Sequence, residues 1–293
     1  MKSLVPWLML CFPLVLSAAE PDLAALEKIG AKIQQRNGEI HSLSIDCDGF
    51  TDDEYRLIGQ LTMLKSIAIS GKELNDQQLE MLTGLKELES FMINGSVLTD
   101  EGYRHFAAFP KLTRLSLFHP SRKIEAFNGS GLAHLKAMPA LKSLTFAGAT
   151  AGNEAYEAVA QISQLESFRE WHNTETSEGL KQLPKLKNLK SIRLGQRLPS
   201  WGKETPASFD DETLAILAQM PSLEDIELTE ARLSYDAVAQ LKQLPNLKKL
   251  KINQVDISAE EVEKLKAAMP NVEIQFDPLT EEQADMLTKK LKL

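Results

Sequence analysis

A 24-residue cycle constrains this chain more than any other feature of its sequence. Its clearest copy runs from Leu223 to Asn246, LEDIELTEARLSYDAVAQLKQLPN. Alternation in the first half puts Ile226 and Leu228 on one side of a short strand, and Leu233 closes the turn that follows. Ser234 then stands where a helix begins, its hydroxyl suited to the free N–H groups there, and Ala237, Val238 and Leu241 supply an apolar stripe. Pro245 and Asn246 end the helix, and the cycle restarts at Leu247. One such unit has two thin elements with apolar inner faces and nothing to bury them against. Stacked copies bury them in each other, which is the physics of a solenoid.

The cycle runs through most of the chain. The first inward strand position falls at Leu43, Ile67, Phe91, Leu115, Leu144, Phe168, Ile192, Ile226, Leu250 and Ile274, at spacings of 24, 24, 24, 29, 24, 24, 34, 24 and 24. Two residues on stands a second apolar side chain (Ile45, Ile69, Ile93, Leu117, Phe146, Leu194, Leu228, Ile252 and Phe276), with Glu170 the one exception. Helix starts keep the same register at Thr51, Asn75, Thr99, Asn128, Gly152, Thr176, Asp210, Ser234 and Ser258. All but Gly152 have side chains that satisfy free N–H groups. Prolines such as Pro110, Pro139 and Pro184 punctuate the helix ends.

The strands Leu112-Thr-Arg-Leu115-Ser-Leu117 and Leu247-Lys-Lys-Leu250-Lys-Ile252 resemble the Leu-x-x-Leu-x-Leu strands of leucine-rich repeats. The Leu-Thr-Asp-Glu-Gly of 98–102 and the lead-in Leu26-Glu-Lys-Ile-Gly-Ala-Lys-Ile33 resemble bacterial exported members of that ribonuclease-inhibitor-like superfamily. The resemblance implies an α/β leucine-rich repeat solenoid: a curved stack of ten parallel strands on the concave face, helices on the convex face, and a role in binding partners. It carries no catalytic residues to transfer. The chain departs from the family at the turn after each strand, where an Asn normally forms a ladder. Only Asn173 fits, and Asp48, Lys72, Ser96, Ala149, Arg197, Ala231 and Val255 stand elsewhere. Other groups must satisfy those turns.

Residues 1–19 read as a signal peptide: Lys2, an apolar stretch from Leu4 to Leu16, and small residues at Ser17-Ala18-Ala19. Residues 20–39 read as an N-terminal cap, a helix over Leu23, Leu26 and Ile29 followed by a hairpin at Asn37-Gly38. Repeats fill 40–276. Residues 277–293 hold an amphipathic helix, Thr280-Glu-Glu before Met286, Leu287 and Leu291, suited to capping the last repeat. Two insertions break the period, near 119–129 and near 196–209. Both fall between a strand and the next helix, where inserted loops often join a binding face, and Phe127 and Trp201 are unusual residues for idle loops.

Cleavage after Ala19 would remove Lys2 and move the net charge from −8 to −9, which argues against nucleic acid as a partner. One cysteine, Cys47, would remain, so no internal disulfide is expected, and its thiol reads as a small apolar filler. These features predict an exported monomer with no membrane span after cleavage. The five histidines lack metal-ligand spacing, and neither a nucleophile elbow nor a phosphate loop is present, so no metal, cofactor or catalytic residue is expected.

Strand residues flanking the inward leucines face the concave surface. At its N-terminal end these are small and neutral, as in Ser42, Ser66 and Ser90, and at its C-terminal end they alternate in sign, as in Asp225, Lys249 and Glu273. The middle gathers Arg114, Phe118, His119, Arg169, Trp171, His172 and Arg193, near both insertions and Trp201. Arginine and aromatic residues are the ones enriched at binding hot spots. These eight residues are the candidate site for a protein or surface glycan. An enzyme or inhibitor built on the loops, or an envelope spacer, are the alternatives. Arg169 and Arg193 fall at one register position on adjacent strands, where Glu227 is placed to offset Arg193 and Glu166 or Glu170 to offset Arg169. Glu170 itself has two readings. A bulge would turn it outward and take Trp171 off the concave face, or it is a buried acid paired with Arg169 or His172.

Overall fold

The computed structural model describes residues 22–198, 206–289 and 291–293. The expected signal peptide and Trp201 therefore lie outside the described residues. Eleven strands form one sheet in strict chain order. The first, β1 (Lys32–Arg36), pairs antiparallel with β2 (Glu39–Asp46) across the Asn37-Gly38 turn, where both residues take positive φ. Then come β3 (Ser66–Ser70), β4 (Ser90–Asn94), β5 (Arg114–Phe118), β6 (Ser143–Ala147), β7 (Ser167–Trp171), β8 (Ser191–Leu194), β9 (Asp225–Arg232), β10 (Lys249–Asp256) and β11 (Glu273–Pro278). From β2 to β11 every pairing is parallel and follows the register of the repeat, as in Leu43↔Ile67, Leu115↔Leu144 and Leu250↔Ile274, until β10 and β11 slip out of it after Asn253. This is a leucine-rich repeat solenoid, with the strand leucines buried in one continuous core against the helical side.

On the helical side most cap positions act as their side chains allow; Thr176 does not cap its helix, because its hydroxyl is taken by Asn153 Nδ2 of the preceding repeat. Thr51, Asn75, Asp210 and Ser258 each close a capping box, and Ser234 Oγ accepts from Ala237 N at 3.1 Å. Two of the expected α-helices, Glu101–Ala108 and Ser130–Ala137, are 3-10 helices, a tighter form that suits short connections. The acid or amide just inside one helix start also reaches across to the next repeat. Asp76 accepts from Thr99 N at 2.9 Å, Asn153 from Thr176 N at 3.0 Å and Asp211 from Ser234 N at 2.9 Å. Asp100 accepts from Asn128 N at 3.0 Å and Gly131 N at 2.8 Å. This polar ladder ties neighbouring repeats together on the helical side. At the strand-side turns, Asn173 donates to Phe146 O at 3.1 Å and accepts from Ala149 N at 3.0 Å, while Asp48 accepts from Lys72 N at 2.7 Å.

Both insertions are partly interior. In the first, Ser121 and Phe127 are buried, Phe127 stacks on Tyr103 with centroids 5.9 Å apart, and Ser121 Oγ donates to Leu98 O at 2.6 Å. Phe127 is thus a core residue and not the exposed loop aromatic that the sequence predicted. In the second, Gln196, Arg197, Ser208 and Phe209 are buried, and Arg197 Nη2 donates to Leu291 O at 3.0 Å. That contact, with Arg232 Nε donating to Leu293 O at 3.0 Å, brings the segment after the helix Glu281–Lys289 back along the ends of the strands. Leu287 and Leu291 are buried there, and Cys47 is a buried, free thiol pushed up to about 12 by burial.

Candidate functional site

The parallel register sets which side chains share the concave surface. Phe118 on β5 and Trp171 on β7 flank Ala147 on β6 in one row. Strands two apart are about 9.6 Å from each other, yet the two ring centroids lie 6.0 Å apart because the small alanine lets both rings lean inward. One row along, Arg193 on β8 lays its guanidinium over the indole, with Cζ 4.2 Å from the ring centroid, a cation–π contact. Arg169 on β7 pairs directly with Arg193 in the register. Their repulsion is offset chiefly by Glu227 on β9, which lies 3.5 Å from Arg169 Nη2, 3.5 Å from Arg193 Nε and 3.6 Å from Lys251 Nζ, with Asp225 acting on Arg169 and Glu230 on Arg193 at longer range. Burial pulls Arg193 down, Glu227 pulls it back up, and Arg169 adds to the fall. Glu166 does not serve Arg169, since it is taken by Lys142 and Lys190.

Arg114, at the start of β5, is exposed and makes no ion pair among the described residues. The two histidines stand apart from the rings, one residue past their strands, in the left-handed conformation that turns the chain toward the helical side. His119 has φ 49° and its Nδ1 lies 2.9 Å from Asn94 Oδ1, and His172 has φ 56° and its Nε2 lies 2.6 Å from Glu230 Oε2. So the structure gathers Phe118, Arg169, Trp171 and Arg193 in one patch, with Arg114 on the same face, and sets His119 and His172 at its rim.

The bulge reading of Glu170 fails, and the buried-acid reading holds in its burial but not in its partners. The register runs unbroken through Phe146↔Glu170↔Leu194, so there is no bulge and Trp171 stays on the concave face. Glu170 points into the core, fully buried, but its partners are not Arg169 or His172. Tyr156 Oη donates to Glu170 Oε2 at 2.7 Å and Asn173 Nδ2 at 3.4 Å. Glu175, also fully buried, lies close enough to couple to it, and burial raises both carboxyls, Glu170 well above the ordinary range. Glu170 Oε1 and both Glu175 oxygens find no hydrogen-bond partner among the described residues, and a proton kept on one carboxyl and given to the other would satisfy two of the three. Sealed from solvent, the pair is placed to hold the core and not to meet a substrate.

Sequence reasoning missed a second feature. Along the ends of β2 to β5 runs a polar cleft of about 540 Å³, lined among others by Asp46, Asp48, Lys72, Ser96, Arg122 and Lys123. The signal was present: Asp48, Lys72 and Ser96 occupy one column at the 24-residue spacing where an Asn ladder was missing. Among the described residues, no group of three His, Cys, Asp or Glu side chains is arranged to hold a metal ion, and no helix is long and apolar enough to cross a membrane.

No family model matches this chain, and no curated protein matches it. Among solved structures it is similar to internalin C2 of Listeria monocytogenes, at 18% identity over 78% of this chain and 84% of that one, with a TM-score of 0.44. It is also similar to the internalin inlF of the same organism, at 15% identity over 91% of each chain, with a TM-score of 0.36. The fold rests on the strand register itself, to which superpositions this loose add nothing.

Proposed function

We propose that this chain is an exported, non-catalytic recognition module whose concave face, centred on Trp171 and Arg193, holds an acidic surface of a partner protein. One observation supports this most. Arg169, Arg193 and Lys251 converge on the one carboxylate of Glu227, with Asp225 and Glu230 beside them, so the centre of the concave face concentrates basic side chains in a chain of net charge −8. Elsewhere on the solenoid cations and acids pair in equal number, as Lys65 and Lys111 do with Glu87 and Glu89. The half-buried Trp171 and Phe118 rings beside that charge supply the rigid apolar area that binding anchors need. Electrostatic attraction would speed encounter and choose acidic partners, and the rings would hold them.

The test is capture from the native cell envelope and medium by immobilised wild type beside Arg169→Ala/Trp171→Ala, with circular dichroism showing both equally folded. A protein retained by wild type and lost, at least tenfold, by the variant supports the reading. Equal retention by both moves recognition off the concave face, and retention abolished by glycosidase treatment makes the ligand a surface glycan. If neither retains anything, the spacer reading replaces this one.

A further inference from the structure

The cleft at the ends of β2 to β5 is built differently from the concave patch and carries its own chemistry. Its basic side chains are unspent: Lys72, Arg122 and Lys123 make no ion pair among the described residues, and Arg122 uses only Nε, donating to Gly148 O at 2.6 Å. Its acids are half used. Asp48 Oδ1 accepts from Lys72 N at 2.7 Å and Asp46 Oδ1 from Asp48 N at 3.0 Å, which leaves the second oxygen of each without a hydrogen bond.

At the floor lies Ser96, 5% exposed, whose Oγ has no partner at all. An unmet buried hydroxyl is costly, on the order of 1–3 kcal/mol, and natural folds rarely keep one without a reason. The insertion that supplies Arg122 and Lys123 is also fixed in place. Buried Ser121 pins one end, through its N–H to Ser96 O at 3.1 Å and its Oγ to Leu98 O, and buried Phe127 pins the other. Five residues beyond the repeat length are thereby spent on holding two cations over a cleft. The positive field is felt by His119 in the same wall, which is lowered by burial first and by Arg122 next; as a neutral ring donating from Nδ1 to Asn94 Oδ1, it keeps Nε2 free to accept.

We infer that this cleft is a binding site for an acidic saccharide. The acid group of such a ligand meets Lys72, Arg122 and Lys123. Its hydroxyls donate to the free oxygens of Asp46 and Asp48 and pair with Asn94 and Ser96, which a bare anion cannot do. The cleft's volume falls within the usual range of small-ligand sites, roughly 300–1,000 Å³. This site is independent of the concave patch, and the two share no tested residue.

The experiment is isothermal titration calorimetry of the full chain with α-1,4-digalacturonate, beside neutral maltose and inorganic phosphate. Saturable binding of the digalacturonate, at least tenfold tighter than either control, is expected. Arg122→Gln/Lys123→Gln should weaken it at least tenfold, Ser96→Ala severalfold, and Trp171→Ala not at all, with unchanged circular dichroism. Phosphate bound as tightly as the disaccharide would reduce the site to a general anion patch and overturn the saccharide assignment. So would maltose bound equally well, no saturable binding, or binding indifferent to the Arg122 and Lys123 changes. Loss on Trp171→Ala alone would transfer the ligand to the concave face.

Discussion

Tyr156 Oη stands 2.7 Å from Glu170 Oε2 inside the solenoid core, at a register position filled on the flanking strands by Phe146 and Leu194. Beside it stands Glu175, also buried, which burial raises to about 7. A carboxyl whose pKa is higher folded than unfolded holds its proton more tightly in the native state. Its stabilisation is full below the ordinary value of 4.5 and is lost as pH rises through about 7. For Glu175 that difference corresponds to on the order of 3 kcal/mol. The urea midpoint of wild type should therefore fall between pH 5 and pH 8, and Glu175→Gln should flatten the fall. Carboxylates such as Glu87, lowered to about 2 by Lys111 and Lys65, titrate below that window, while His119, lowered by burial, acts near it with the opposite sign, so the difference between wild type and Glu175→Gln carries the reading. An identical pH dependence of the two midpoints would refute the coupled pair.

Phe127 tests whether the first insertion belongs to the core. Truncating a buried aromatic costs about 3–5 kcal/mol, whereas a change at an exposed loop residue stays within about 0.5 kcal/mol. Phe127→Ala should show the larger loss in urea unfolding and Lys123→Ala the smaller. Equal, small losses would mean that the ring's stack on Tyr103 contributes nothing.

The repeat, its register and its strand and cap positions were legible because each obeys a local rule: alternation, side-chain oxygens at helix starts, proline at helix ends. Which residues met across strands was legible too, since a fixed period places Arg169 beside Arg193. What was not legible depends on direction and distance between repeats. Phe127 reads as an exposed loop aromatic until Tyr103 is found behind it. Glu170 reads as an error in the pattern until Tyr156, fourteen residues earlier, supplies its donor. Glu227 reads as a partner for one arginine, and its reach across two strands to Arg169 appears only in three dimensions.

Two glycines separate conformational strain from close approach. Gly38 and Gly95 both take positive φ, near +85° and +88°, but a Cβ on Gly38 meets nothing within 4 Å, while one on Gly95 would lie 2.2 Å from the carbonyl oxygen of Gly71. Gly38→Ala should cost only the left-handed penalty, about 1–2 kcal/mol. Gly95→Ala must also push a neighbouring repeat's backbone aside and should cost more, read as a larger drop in urea midpoint. Equal costs would mean that the strand-end turns of adjacent repeats are free to separate.

Asp100 measures the inter-repeat ladder. It accepts from two backbone N–H groups of the following repeat, Asn128 and Gly131, which have no other side chain to serve them. Removing such a cap costs typically about 1 kcal/mol and up to about 2 kcal/mol. Asp100→Ala should lose stability in that range and Asp100→Asn should recover part of it, because an amide oxygen still accepts. Loss confined to hydrogen-exchange protection around 128–137 would show that the ladder acts locally. An unchanged midpoint and unchanged exchange would show that it does not act at all.

Glu227 decides how the concave centre tolerates its charge. Its side chain is only 16% exposed, and it separates Arg193, 24% exposed, from Arg169, 43% exposed. Glu227→Gln keeps the size and some hydrogen bonding but leaves three cations facing one another. Exposed pairs contribute about 0–1 kcal/mol and breaking buried ones costs about 3–5 kcal/mol, so this half-buried site should lose about 1–2 kcal/mol at low salt. Repulsion among the cations is screened as the Debye length shrinks from about 30 Å at 0.01 M to about 3 Å at 1 M salt. The gap between wild type and Glu227→Gln should therefore close by more than half across that range, measured as urea midpoints. A gap indifferent to salt would assign the loss to hydrogen bonds of Glu227 and leave the clustered cations without energetic weight, removing the main support for an acidic partner on this face.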